Sequence, residues 1–462
     1  MSTKDRFYIS ENELIRQGKR LLNKTLFELY GDLSKKKYGG GKGGFGNKLE
    51  ELHYGIINNN ESRPDVENLG IEIKANPLII VDKGKRISPD QRVTLSMINF
   101  TDIVSEDFES SHFWKKNKAI LFNMFLLGPQ EDYDRRFVII DIIKPDIDDL
   151  LIIKKDWEHI KEKAKLLQAD NLSQSDTMYL CAATKGARNQ KPMPYLDGKA
   201  FAKKRSYSYK HSYIAFYLSQ YTLFEKEGNH YFEKKKQDTI RLLENEIGTT
   251  VEEKVIQCFS QFIGLSDYNI SKTFGYEEMF ENPIDKSRWH WNTSLILTGK
   301  KKKYLSKYIE EFSKSGLTVK TVRLNQNNNL CEEVSFRTQG YGNLIEDEWE
   351  DSSLYNEMSS KFLWIVYKED SLLKGQFNLN KTIFWTMPKY DLDFLEKKWR
   401  ELKNLIKGGD FRHEYFQEDN SFYFLKIKDK IGGKNKIFNN HQITNLSHWF
   451  RKSYVEDILT KN

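Results

Sequence analysis

Cysteine is scarce in this 462-residue chain. Its three cysteines, Cys181, Cys258 and Cys331, lie far apart, which excludes a disulfide framework and the paired spacing of a zinc site. That usage suits a reducing interior. No run approaches the ~18 apolar residues of a membrane span. The amino-terminal "MSTKDRFYIS" also lacks the apolar core of a secretion signal. These absences predict a soluble, cytoplasmic protein with no membrane partner. A large excess of one charge is missing too: 73 basic residues stand against 66 acidic, a net +7. Such a balance permits a nucleic-acid partner without requiring one, so local clustering must decide. Finally, the glycine-rich "YGGGKGGFGN" (38–47) lacks the Gly-Lys-Ser/Thr ending of a phosphate loop and reads as a flexible lead into a helix.

What the chain does contain is enough for real cores, with 39% hydrophobic and 13% aromatic residues. Its length allows two or more domains at ~100–200 residues each. Helical spacing in "FGNKLEELHYGI" puts Phe45, Leu49, Leu52, His53 and Ile56 on one face. Glu50 then lies at the border of that face and Glu51 nearly opposite, toward solvent. Strands are predicted at "LGIEIKA" (69–75), "RVTLSMINF" (92–100), "AILFNMFLL" (119–127) and "FVIIDII" (137–143), and helices at "DIVSEDFESSHFW" and "KKDWEHIKEKAKLL". This mixture predicts an α/β, or α+β mixed-sheet, fold. The charged "KKKQDTIRLLENEIGTT" (234–250) reads as a helical connector, dividing the chain into 1–235 and 236–462.

The second half repeats the first in order, at offsets in the 240s. "GIEIKANPL" is answered by "GLTVKTVRL", "IVSEDFESS" by "LIEDEWEDSS", "AILFNMFLL" by "FLWIVYKE", and "YKHSYIAFYL" by "FRKSYVEDIL". Duplication explains this pattern; two unrelated α/β domains could mimic part of it. Glu72 is matched by Thr318, while Lys74 is matched by Lys320.

In "RPDVENLGIEIKAN", Glu72, Lys74 and Asn76 share one strand face, with Glu72 and Lys74 ~7 Å apart, while Ile71, Ile73 and Ala75 take the other. Asp65, after Pro64, can return beside Glu72. Two carboxylates with waters and a phosphate oxygen are what Mg²⁺ asks for. Lys74 can orient a water or stabilise charge on the phosphate, and Glu50 can add a further carboxylate. The bland alternative is an amphipathic edge strand after a turn. A second cluster, Lys185 to His211, holds eight Lys or Arg and one acid, interleaved with Tyr195, Phe201, Tyr207 and Tyr209. It is a nucleic-acid surface or a solvated basic loop. Within it, Arg205 and Lys210 could reach guanine O6 and N7.

Taken together and in order, "FGNKLEELHYG", "RPDVENLGIEIKANPL", "FESSHFWKKNKAILF", "YLCAATKGARNQ" and "KRSYSYKHSY" resemble the MutH-related endonucleases. The later "GLTVKTVRL", "EDEWEDSSLY" and "FLWIVYKED" resemble the second half of the larger type II restriction enzymes in that group. The resemblance implies two tandem domains of the PD-(D/E)xK nuclease fold, the second lacking the catalytic motif. It implies Mg²⁺-dependent cutting of double-stranded DNA at GATC, before the G, by chains that dimerise on DNA, with a companion methyltransferase in the same cell. By motif, Asp65 and Glu72 resemble the metal ligands, Lys74 the motif lysine, and Lys116 a lysine that helps at the active site. Glu50 resembles the helix carboxylate, its neighbour Glu51 being the alternative. Arg205 and Lys210, with Lys185 and Arg188 nearby, resemble DNA-contacting residues. Arg451 and Lys452 occupy the matching place in the second half. The rivals are a strand-nicking mismatch-repair endonuclease, which is about one domain long, and a non-catalytic DNA-binding protein.

Overall fold

The structure, a computed structural model, describes residues 6–38, 44–57, 63–81, 86–128, 131–184, 191–226, 229–244, 246, 248–280, 287–339, 344–345, 347–410, 416, 421–427, 436–438, 441–443 and 446–461. The chain divides into two compact units, Met1–Asp238 and Thr239–Asn462. No described helix is long and apolar enough to cross a membrane.

In the first unit, helices α1 (Glu11–Lys19) and α2 (Gly44–Leu49) precede strands β1 (Glu72–Val81), β2 (Arg86–Pro89) and β3 (Val93–Met97). Helix α3 (His112–Asn117), strands β4 (Ile120–Leu126) and β5 (Phe137–Ile143), and the long helix α4 (Ile147–Lys165) follow. Strands β6 (Leu180–Thr184) and β7 (Arg205–Tyr209), helix α5 (His211–Ser219) and a hairpin of β8 (Tyr221–Lys226) and β9 (Asn229–Lys234) complete it. The main sheet has the order β2-β1-β4-β5, with β1 parallel to β4 and the other pairs antiparallel. A second sheet runs β3-β7-β6, wholly antiparallel. The fold is the mixed α/β class read from the sequence. Strand β1 is interior to its sheet, not an edge. Its alternate residues Ile71 and Ile73 enter a core with Leu49, Leu121, Phe125 and Phe137. Burial of each isoleucine contributes about 1.5–3 kcal/mol.

The second unit repeats this plan. Helix α6 (Val251–Ser260), helix α7 (Arg288–Thr298), helix α8 (Glu310–Ser315), strand β10 (Thr318–Leu324) and strand β11 (Val334–Gln339) lead to helix α9 (Ser353–Met358). Strands β12 (Lys361–Glu369) and β13 (Phe377–Thr386), helix α10 (Lys389–Lys407), strands β14 (Tyr423–Ile427) and β15 (Leu446–Phe450), and helix α11 (Lys452–Lys461) follow. Sheets β10-β12-β13 and β11-β15-β14 keep the pairing directions of their counterparts. Even the irregularities recur. Register shifts lie at Met124/Phe125 and Val366/Tyr367, and at Thr94/Met97 and Ser335/Thr338. Ser111 caps α3 by accepting from the Trp114 N–H, as Ser352 caps α9 from Tyr355.

Three sequence readings need correction. The helix expected within 102–114 begins only at His112, because Ser111 is its cap; turns and a short 3₁₀ segment precede it. Among its described residues, the connector expected as a helix after residue 234 is coil with a bend and a turn at 242–244. Its Leu242 and Leu243 N–H groups donate to the Glu311 carboxylate (2.9 and 3.0 Å), and Ile240 bridges to Ile309, so the donors a helix needs are already engaged. The helix through Glu50 passes from α2 into a π-helical turn, Glu50–Tyr54, ending on left-handed Gly55 (φ +70°). The wider turn rotates the buried face by about one residue. Tyr54 is therefore fully buried, while Leu52 is only half-buried.

His53 stays in that core. Its Nε2–H donates to the Gln17 carbonyl (2.8 Å), and the Tyr30 hydroxyl donates to Nδ1 (2.8 Å). Burial holds its pKa down, from 6.5 to about 4. A histidine kept neutral in the fold but free to charge when unfolded contributes stability fully present above pH ~6.5 and lost as pH falls toward ~4. The loss should reach roughly 3 kcal/mol. The thermal midpoint should thus fall between pH 7 and pH 5, and His53→Gln should flatten that fall; an unchanged pH profile in the variant would refute the assignment.

Candidate functional site

The candidate site is built on β1 and the turn before it. Val66 and Ile71 bridge each other, and a short 3₁₀ turn (Glu67–Leu69) reverses the chain through Gly70, which takes φ +66°. A side chain at Gly70 would collide with Lys118 Cε at 2.6 Å as well as strain the backbone. The reversal returns Asp65 to β1, where its Oδ2 accepts from the Ile73 N–H (2.8 Å).

Glu72 is buried on the opposite face of β1 from Ile71 and Ile73. Lys74 Nζ donates to Glu72 Oε1 (2.8 Å), and Lys116 Nζ from α3 stands 3.2 Å from Oε2. Lys116 also donates to the Arg63 carbonyl (3.0 Å), which ties α3 to the Pro-Asp turn. From the π-helical turn, Glu50 reaches the same cluster, whereas Glu51 is exposed. Burial, then the charges of Asp65 and Glu72, push the Glu50 carboxyl well above its ordinary range, against the pull of Lys74 and Lys116. Asp65 is raised as well, by burial and then by Glu72, while the Ile73 N–H and both lysines oppose the rise. Thus Asp65, Glu72, Lys74, Glu50 and Lys116 are brought together.

These residues fit a divalent cation. Glu72 Oε2 is buried and accepts no hydrogen bond, its one close partner being the Lys116 ammonium. Glu50 and Asp65, raised by burial first and then by neighbouring carboxylates, would be relieved by a hard dication. Among the described residues no three His, Cys, Asp or Glu side chains form a ready-made metal cage.

The sequence missed Asn123 on β4. It accepts from the fully buried Tyr54 hydroxyl and donates to the Lys74 carbonyl (3.4 Å), joining the π-helical turn to the site strand. A lone asparagine inside the apolar run "AILFNMFLL" was the available signal. Lys48, likewise unflagged, is buried against Asp132 at 2.6 Å.

The basic segment behaves otherwise than expected. Strand β7, "RSYSY", is the central strand of its sheet, and all five residues are buried. Arg205 donates to the Ala182 carbonyl (2.8 Å) and the Asp170 carbonyl (3.2 Å). Lys210, only 3% exposed, donates to the Thr177 carbonyl. Tyr195, Tyr207 and Tyr209 are core residues, and only Phe201 of the four interleaved aromatics is exposed. In this placement neither Arg205 nor Lys210 is presented to a base edge. Both neutral faces of a central strand are covered, so its cations turn to backbone carbonyls. Lys191, Lys199 and Lys203 are exposed; Lys185 and Arg188 lie outside the described residues. In the second unit Arg451 Nε donates to the Ser421 carbonyl (2.5 Å) and Lys452 Nζ to the Cys331 carbonyl (3.1 Å).

At the matching place in β10, Thr318 has a hydroxyl 3.5 Å from that of Ser360, and Lys320 donates to the Ser335 carbonyl (2.7 Å). The lysine's setting survives there, and the carboxylate does not.

The family model described as DNA mismatch repair enzyme MutH matches residues 54–156, which hold Asp65, Glu72, Lys74 and Lys116. The type II restriction enzyme Sau3AI of Staphylococcus aureus is 31% identical over 423 residues, covering 87% of this chain and 81% of that protein.

The buried lysine yields a prediction. Lys210→Ala should leave the Thr177 carbonyl short of a donor, costing about 1–3 kcal/mol. The thermal midpoint should drop by several degrees, at about 2–4 °C per kcal/mol for a unit this size. An unchanged midpoint with lost discrimination between target and random DNA would instead make Lys210 a base-reading residue.

Proposed function

The chain belongs to the MutH-related restriction endonucleases, and from that premise we propose that it makes Mg²⁺-dependent double-strand breaks in DNA at GATC, cutting before the G. The observation that carries the metal reading is Glu72 Oε2, a buried carboxylate oxygen that accepts no well-aligned hydrogen bond and has only the Lys116 ammonium, 3.2 Å away, as an ion-pair partner among the described residues. Asp65 and Glu72 would hold the ion, which polarises the scissile phosphate and makes a water nucleophilic near neutral pH.

The protein's own groups do the rest. Lys74 orients the attacking water and stabilises charge growing on the phosphate. Lys116 holds the second oxygen of Glu72 and couples it to the Pro-Asp turn. Glu50, with its raised pKa, is suited to keep or accept a proton at the edge of the site. Lys185 and Arg188, with the exposed Lys191, Lys199 and Lys203, are assigned to DNA contact, while Arg205 and Lys210 hold the strand that carries them. With one such site per chain, both strands of a palindrome are cut by two chains paired on DNA or by successive nicks. The second unit, with Thr318 for Glu72, offers a neutral hydroxyl where the ion needs an anion, so it serves binding and not cleavage.

The test is digestion of plasmid DNA with pure protein and Mg²⁺, followed by sequencing of the ends. Discrete fragments ending in four-base GATC overhangs are expected; nicked circles alone would favour the strand-nicking reading, and intact plasmid a non-catalytic one. Asp65→Ala and Glu72→Ala should each abolish cleavage while Ca²⁺-supported DNA binding persists, and Lys74→Ala should cut severely less. Cleavage at the wild-type rate in either carboxylate variant would dismiss the site.

The division of labour has its own check. The fragment 239–462 should fold alone by circular dichroism and cut no DNA with Mg²⁺, and metal-dependent cleavage by it would overturn the assignment.

A further inference from the structure

The second unit carries a cationic surface that the reading above does not use. Residues 300–307, "KKKKYLSK", hold five lysines and no acid. Lys300, Lys301, Lys303 and Lys307 are exposed, and among the described residues none of these four has a carboxylate partner.

The loop beneath them is stapled to helix α7. The Ser294 hydroxyl, fully buried, donates to the Lys300 carbonyl (2.6 Å) and accepts from the Lys302 N–H (2.8 Å). The Thr298 hydroxyl accepts from the Lys300 N–H (3.2 Å), and His290 Nε2 meets the Lys303 carbonyl (2.9 Å). Gly299, at φ +66°, ends the helix and starts the loop. Aromatic rings then position the ammonium groups. Lys301 lies 5.6 Å from the Tyr276 ring and 5.4 Å from that of Trp291. Lys303 and Lys307 both lie 5.4 Å from the ring of Tyr304, itself 58% exposed. A solvated run of lysines needs no such anchoring. A fixed backbone with lysines resting on rings loses less freedom when it binds phosphate.

The duplication sharpens the contrast. The helix ending at Gly299 corresponds to the one ending at Gly55, and the residues after Gly55 are "IINN", without a cation. The first unit gathers carboxylates, which repel phosphate until a cation neutralises them. The second has lost the carboxylate of Glu72 and gained ammonium groups, which attract phosphate directly.

We propose that Lys300, Lys301, Lys303 and Lys307 form a docking surface for the phosphate backbone of double-stranded DNA, indifferent to sequence and independent of divalent metal. This rests on the reading of the chain as a DNA endonuclease. The surface anchors DNA on the unit that does not cut.

The test uses the full chain in EDTA, with binding to GATC-containing and random duplexes followed by fluorescence anisotropy between about 50 and 200 mM salt. Replacing all four lysines by glutamine should weaken both duplexes alike, by roughly tenfold or more, and lower the salt slope by about 3.6, at ~0.9 per lost phosphate contact. The four-arginine variant should bind as wild type. Should the glutamine variant fold poorly, K300Q/K303Q should lower the slope by about 2. Unchanged affinity and slope, or a loss confined to the GATC duplex, would overturn the proposal. The two readings fail separately. Wild-type protein that binds in this way but never cuts with Mg²⁺ refutes the nuclease alone, and protein that cuts while the variants bind normally refutes the surface alone.

Discussion

Like charge brought together under burial is the constraint on which the first unit turns. Glu50, Asp65 and Glu72 converge from a π-helical turn, a reversed loop and a strand; Glu50 is raised in pKa by burial and then by Asp65 and Glu72, and Asp65 by burial and then by Glu72. Left alone, such a cluster would expel charge by taking up protons. Lys74 and Lys116 limit that, and the surrounding geometry keeps the cluster closed. Gly70 permits the reversal that returns Asp65, Asn123 ties the helical turn to the strand through Tyr54, and Lys116 reaches Glu72 while holding the Arg63 carbonyl. The repulsion left over is a binding potential for a dication.

The second unit shows what the same scaffold does without that constraint. Strand pairing, register shifts and helix caps recur, because they follow from backbone hydrogen bonding and core packing that neither unit can alter cheaply. The polar side chains on the same scaffold diverge freely. Thr318 replaces Glu72, Lys320 donates to the Ser335 carbonyl where Lys74 lies 3.5 Å from that of Leu95, and the loop after α7 becomes cationic. Fold and chemistry are separable here because one lives in the backbone and the core, the other in a few side chains at the mouth of a sheet.

Cations in this protein divide by the element that carries them. Arg205 on strand β7 and Lys210 just after it are buried and bound to carbonyls, where their worth is to the stability of the sheet. On loops, Lys191, Lys199, Lys203, Lys300, Lys301 and Lys303 face water, as does Lys307 on a short helix. A count of basic residues along the chain cannot separate these, since a strand interior to a sheet and an exposed loop can share the same composition.

Much was legible in the sequence alone. Local rules sufficed for the mixed α/β class, the strands at β1, β4 and β5, the long helix α4, the repeat at offsets in the 240s, and the sharing of one strand face by Glu72 and Lys74. Alternation, helical spacing and caps act between near neighbours, so a linear reading captures them. Tertiary structure decided the rest. A π-helical turn, which no spacing rule announces, buried Tyr54 in place of Leu52 and tied the turn that carries Glu50 to Asn123. Burial on both faces of β7 turned Arg205 and Lys210 inward, and the Glu311 carboxylate kept the connector from forming a helix. Each of these depends on partners tens to more than a hundred residues away, and a distant carboxylate or carbonyl can override local preference because an unsatisfied buried polar group costs more than any single propensity.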